Sequence, residues 1–187
     1  MARSAQWSIP VAARLNELGY SCFCLNYRTA VPESFVSGLM PQPLDDLADA
    51  LRLIAENRTV FDVDPMQYLL FGFSAGGHLA ASLATLYGSD ATRPDFQILF
   101  YPVISMLKGV THSGSRQNLI GETPTAEQEQ KYSLERQVSP KTPQAFIMLS
   151  ADDATVLPIN GIGYFLALRE QKVPATLHVY PTGGHGW

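Results

Sequence analysis

Hydrophobic positions along the chain follow two rhythms. Val11, Leu15 and Leu18 repeat at helical spacing, with Ser8 and Pro10 suited to open a helix and Gly19 to stop it. Leu44, Leu47, Leu51 and Ile54 predict a second helix, with Asp45 and Asp46 in its first turn, where the helix dipole favours acids. Between such stretches lie short unbroken apolar runs at 20–27, 68–73, 96–101, 145–149 and 176–180. Runs of that length, apolar on both sides, read as strands covered on two faces. Helices are predicted again over 78–87, with Gly88 as the stop, and over 159–171, where Gly161 and Gly163 weaken the pattern. Residues 28–43 hold Pro32, Pro41 and Pro43 and read as a loop. Residues 103–143 are polar and irregular, with one short helix over Ala126–Tyr132.

Strands alternating with helices predict an α/β fold: a mostly parallel sheet with helices on both faces. One domain over 1–187 is expected, with 103–143 as a cap or an elaborated loop within it. Neither an internal repeat nor a low-complexity tract interrupts it.

Composition narrows the function classes. Hydrophobic residues make up 46% and charged residues 16%, which is the balance of a packed globular chain. The net charge is −4 and the basic residues are scattered, which argues against nucleic-acid or anionic-membrane binding. No apolar run approaches the roughly 18 residues of a membrane span, and the first seven residues lack the apolar stretch of a secretory signal. Cys22 and Cys24 stand two apart in a predicted strand, on one face, and are poorly placed to pair with each other. Free thiols suit a reducing compartment, so a cytoplasmic location is expected.

The chemistry is concentrated at the ends of the predicted strands. Gly72-Phe73-Ser74-Ala75-Gly76 follows an apolar strand and precedes an Ala-rich helix, the setting a nucleophile elbow needs. A sharp turn there lifts the serine hydroxyl clear of the backbone and leaves no room for bulky neighbours two positions away. It also brings helix N–H groups near a developing oxyanion. A serine hydroxyl is a poor nucleophile at neutral pH, so it needs a base, and the base needs a partner. Of the four histidines, His185 lies just past the last strand in Gly183-Gly184-His185-Gly186, a sequence free to turn back over the sheet edge. His178 sits inside a strand and His78 on the elbow helix, where packing roles are expected; His112 falls in the irregular segment and reads as a solvated loop side chain. The acid belongs after the fourth apolar run, where Asp152 and Asp153 stand together. Asp153 is favoured, with Asp152 bonding the loop backbone; the reverse assignment stays open. The chain order Ser74, Asp153, His185 is that of α/β-hydrolases.

The stretch 72–80, the Asp152-Asp153 loop with Pro158-Ile159-Asn160, and 177–180 leading to Gly184-His185-Gly186 resemble the acetyl-esterase and acetylxylan-esterase-like branch of the α/β-hydrolase superfamily. Residues 114–121 resemble a loop of the same enzymes. The resemblance implies a serine esterase that hydrolyses small acyl esters, often acetyl groups on sugars, without metal or cofactor. It implies Ser74 as nucleophile, Asp153 as acid, His185 as base and the Ala75 N–H as an oxyanion donor. A small-molecule ester is the partner implied, and nothing speaks to oligomeric state. The family's Gly-rich oxyanion loop has no counterpart here, and its first three strands are missing, so an N-terminally truncated chain is expected. Two alternatives stand beside this reading: a dienelactone-hydrolase- or oligopeptidase-like hydrolase, and an inactive truncated domain that acts as a binding module.

Overall fold

The structure, a computed structural model, describes residues 4–29, 41–64, 67–87 and 93–187. The described residues fall into two compact units, 4–29 with 41–64 and 67–87 with 93–187. Most of the expected 28–43 loop and the predicted stop at Gly88 lie outside the described residues.

The first unit contains α1 (Ser4–Glu17), α2 (Gln42–Glu56) and the short α3 (Arg58–Phe61). α1 begins upstream of the expected Ser8, so Pro10 lies inside the helix rather than at its first turn. Pro10 lacks the N–H that would bond the Gln6 carbonyl, but its fixed φ is close to helical and the turns on both sides continue. Gly19, at φ 90°, ends the helix as expected.

The strand expected at 20–27 does not form. An extended segment becomes a strand only when a neighbour pairs with its backbone, and the described residues of its own unit include no strand. Tyr20 and Phe23 are exposed instead of buried. Side chains anchor the segment within its unit. Phe23 meets Phe61 edge-on at 5.1 Å, and the Arg28 N–H and guanidinium donate to the Asp46 carboxylate at 2.7 and 2.9 Å. The Arg28 guanidinium bond holds the Asp46 carboxyl below the usual carboxylate range. Cys22 and Cys24 are free.

The second unit is built on four parallel strands in the order β1-β2-β3-β4. β1 (Leu69–Phe73) leads into α4 (Ala75–Ser82), which continues as a π-helical turn over Leu83–Tyr87. β2 is Phe96–Phe100, followed by α5 (Ser113–Ile120), α6 (Ala126–Tyr132) and a 3₁₀ turn at Leu134–Arg136. β3 (Gln144–Ser150), α7 (Ile159–Glu170) and β4 (Ala175–Tyr180) complete it. Leu99 of β2 pairs in register with Gly72 of β1 and Ile147 of β3, so these positions share one sheet face. Ala80 and Ala81 of α4 and Tyr164 and Leu168 of α7 pack there against Leu99, Ile147 and Leu149. Burying one large apolar side chain of this kind contributes roughly 1.5–3 kcal/mol. That burial carries α7 despite Gly161 and Gly163, since Tyr164 and Leu168 are fully covered.

The segment 103–143 is more regular than its composition suggests. α6 forms as predicted, closed by a capping box between Thr125 and Gln128. α5 was not expected: Gly and Ser in its first turn depress its helical propensity. Its start is fixed instead by His112, whose Nδ1 accepts from the Ser115 N–H at 3.2 Å. The start of the segment is pinned by the buried Asn160 of α7. Its Oδ1 accepts from the Ile104 and Ser105 N–H groups, while its Nδ2 donates to the Val110 and Leu157 carbonyls.

At Gly72 backbone meets backbone closely. A Cβ there would lie 2.6 Å from both the Gly76 carbonyl oxygen and the Gly77 Cα. Gly72→Ala is therefore expected to destabilise the chain by about 1–3 kcal/mol. Thermal unfolding checks this, and an unchanged Tm contradicts the packing described.

Candidate active site

The turn out of β1 puts Ser74 at φ 52° and ψ −120°, a backbone conformation that non-glycine residues rarely adopt. Such a residue costs on the order of 1–3 kcal/mol and persists only where its surroundings over-determine it. Here the Ser74 N–H donates to the Phe100 carbonyl at 3.0 Å. The Ser74 carbonyl accepts from Gly77 at 2.9 Å and Val103 at 3.0 Å. The elbow is thus tied to the strand beside it as well as to its own helix. Ala75 is the first residue of α4, and an N–H in a helix's first turn has no acceptor within the helix.

β3 ends at Ser150 and delivers Asp153 to the same sheet edge. Its side chain is 1% exposed. One carboxylate oxygen accepts from the Thr155 and Val156 N–H groups, each at 2.9 Å. The other lies 2.6 Å from Nδ1 of His185, on the loop after β4. A carboxylate only accepts, so Nδ1 carries the proton, and in the neutral ring Nε2 is the acceptor. The Ser74 Oγ lies 2.8 Å from that Nε2. The three side chains singled out in the sequence therefore meet in one hydrogen-bonded line. Asp152 is not in it: its carboxylate accepts from the Gly184 and Gly183 N–H groups at 2.9 and 3.3 Å.

Tyr101 packs against the histidine and Trp187 against Tyr101, and the sequence pattern did not single out either. Tyr101, read as the end of a strand, still donates its N–H to the Met148 carbonyl but breaks the extended backbone at φ 36° and sets its ring edge-on to His185 at 4.7 Å. Burial, and then the Asp153 carboxylate, pushes its phenol up, so it stays neutral. Trp187 meets Phe100, Tyr101 and Tyr180 edge-on, and its indole N–H donates to the Ser150 Oγ at 2.7 Å. The signal available was position: Tyr101 stands directly after β2 and Trp187 on the loop after β4, both at carboxyl ends of strands.

A family model for the α/β hydrolase fold matches residues 2–187. The chain belongs to that family. This α/β hydrolase is 37% identical over 178 residues to an endo-1,4-β-xylanase B of Butyrivibrio fibrisolvens, covering 90% of this chain and 28% of that protein. It is 35% identical over 178 residues to an acetylxylan esterase of Xylanibacter ruminicola, covering 92% of this chain and 35% of that one. It thus spans about a third of the length of these curated relatives. Among solved structures it is similar to an acetyl ester-xyloside bifunctional hydrolase of Caldicellulosiruptor lactoaceticus. The TM-score is 0.82 at 37% identity, covering 95% of this chain and 66% of that one.

The other histidines of this α/β hydrolase sit elsewhere. His178 is exposed on β4, its ring 5.0 Å from that of Phe146. His112 caps α5 rather than standing free in solvent. His78 is buried on α4, with Nε2 2.8 Å from the Tyr132 carbonyl and Nδ1 3.3 Å from the Ser82 Oγ. Among the described residues, no group of three or more His, Cys, Asp or Glu side chains is arranged to hold a metal ion, and no helix is long and apolar enough to cross a membrane.

Burial pushes His78 down to about 4, so it is neutral in the folded chain at pH 7. The unfolded chain binds that proton near pH 6.5, so stability is full above pH 6.5 and falls as pH drops toward 4. The expected loss is about 3 kcal/mol. Urea titrations at several pH values should show it, and His78→Gln should flatten the slope; equal slopes in both proteins would exclude this origin. A second expectation concerns Tyr101, whose buried hydroxyl has no hydrogen-bond partner among the described residues. Tyr101→Phe should leave stability unchanged or raise it by about 1 kcal/mol, whereas a clear fall in Tm would reveal a partner for the hydroxyl.

Proposed function

We propose that this α/β hydrolase is a serine carboxylic ester hydrolase acting on small acyl esters, acetyl esters of sugars above all. The observation that carries the reading is the unbroken line from Ser74 Oγ through His185 to Asp153, at 2.8 and 2.6 Å. In that reading His185 Nε2 takes the Ser74 proton as Oγ attacks the acyl carbonyl. Asp153 keeps Nδ1 protonated and stabilises the imidazolium. The Ala75 N–H donates to the oxyanion, a contribution worth roughly 100- to 1000-fold in comparable hydrolases. His185 then gives its proton to the leaving alcohol, and water releases the acid from the acyl-serine by the same route. None of these steps requires a metal or cofactor.

The substrate class rests on kinship, since relatives named for acetylxylan and acetyl ester-xyloside hydrolysis are 35% and 37% identical. The alcohol side of the substrate is assigned to the segment that begins at Val103. Its first N–H bonds the Ser74 carbonyl, so this wall starts at the elbow itself.

The chain is expected to hydrolyse p-nitrophenyl acetate faster than the octanoate, and to release acetate from acetylated xylo-oligosaccharides. Ser74→Ala should lower the rate by about 10⁴-fold or more. A serine-directed fluorophosphonate should label the parent at Ser74 and leave the variant unlabelled. Equal rates in the two proteins, or no labelling of the parent, would overturn the reading.

A further inference from the structure

We propose that Asp152 is a positioning residue, holding the His185 loop against the end of β3 so that the imidazole stays in line with Ser74. The inference rests on the esterase reading above for its kinetic arm and on the loop's geometry for the rest.

The loop that carries His185 has little stiffness of its own. Gly183, Gly184 and Gly186 surround the histidine, at φ 151°, 63° and 82°. Glycine loses more conformational freedom on ordering than any other residue, so such a loop stays fixed only through contacts from outside. Besides Ser74 and the neighbouring aromatic rings, the hydrogen bonds that hold it come from one short stretch of chain. Ser150 accepts from the Trp187 indole at 2.7 Å, Asp153 meets the His185 ring at 2.6 Å, and Asp152 takes both N–H groups just before it. Ser150 and Trp187 leave no slack, for a Cβ on Gly183 would lie 2.4 Å from the Ser150 Oγ and 3.0 Å from the Trp187 ring.

Within this arrangement Asp152 does what the other two cannot. Asp153 touches the ring and Ser150 holds the far end of the loop. Asp152 alone bonds the backbone on the approach to His185, with one carboxylate oxygen to each N–H. Its side chain is exposed, so its contribution to folding is small, whereas its effect on where the imidazole sits is direct. Displacement of a reacting group by about 1 Å costs on the order of 100-fold in rate.

The test compares Asp152→Ala and Asp152→Asn with the parent in ester hydrolysis and in amide hydrogen exchange. Asp152→Ala is expected to lower kcat roughly 10- to 100-fold with KM within about twofold. Asp152→Asn keeps one acceptor oxygen and should lose less. Exchange at Gly183 and Gly184 should quicken by about tenfold or more in the alanine variant, while β3 amides such as Ile147 keep the parent rate. Unchanged kcat together with unchanged glycine exchange would overturn the proposal, as would a loss confined to KM. If the parent chain itself hydrolyses no ester, the esterase reading fails, and the exchange measurement still decides whether Asp152 holds the loop.

Discussion

Ser74 occupies a backbone conformation that its own chemistry disfavours, and the bonds that hold it there tie together the parts of the second unit that matter for the site. The Phe100 carbonyl takes the Ser74 N–H, and the Val103 N–H returns to the Ser74 carbonyl. Both partners lie at the end of β2, so the elbow depends on the parallel pairing of β1 with β2, from Leu69 opposite Phe96 to Phe73 opposite Phe100. Gly72 adds the steric half of the constraint, because α4 passes too close for any side chain there. A hydroxyl presented in this way is costly to hold, and the strain is repaid by an entire sheet register rather than by one local contact.

The same logic runs through the other two members of the line. β3 and β4 are parallel and in register from Ala145 opposite Ala175 to Ser150 opposite Tyr180. Their ends therefore leave the sheet together, and the turn after β3 lies directly beneath the loop after β4. Asp153 is anchored by the Thr155 and Val156 N–H groups before it meets His185, so the imidazole meets a carboxylate that is already held. Tyr101, at the end of β2, closes the gap between the two halves by placing its ring against His185. Four adjacent strand ends supply the arrangement, with β1 contributing the serine.

Much of this was legible in the sequence, for a physical reason. Chemistry in an open parallel sheet gathers just past the strands, and plain apolar runs mark those strands here even though β4, expected to be covered on two faces, is mostly exposed. Ser74, Asp153 and His185 each follow such a run, and the structure brings these side chains within hydrogen-bonding distance. What the sequence hid depends on partners distant in the chain. The run at 20–27 has the composition of a strand but no strand in its own unit, among the described residues, to pair with. α5 is started by an imidazole cap that no propensity scale counts, and α7 is held by Tyr164 and Leu168 against its own glycines. Tyr101 reads as one more strand residue until its positive φ is seen, and Trp187 has meaning only beside Ser150.

β1 lies at the edge of the four-stranded sheet, hydrogen-bonded to β2 and to no other strand among the described residues. A border strand is the first part of a sheet to open, because one ladder rather than two must break. Ser74 therefore follows one border strand and His185 the other, β4, whereas Asp153 follows an interior one. Warming would then loosen Ser74 and His185, the two members of the line that follow border strands, before the hydrophobic centre melts, so that the line parts over an interval of temperature in which the core still stands.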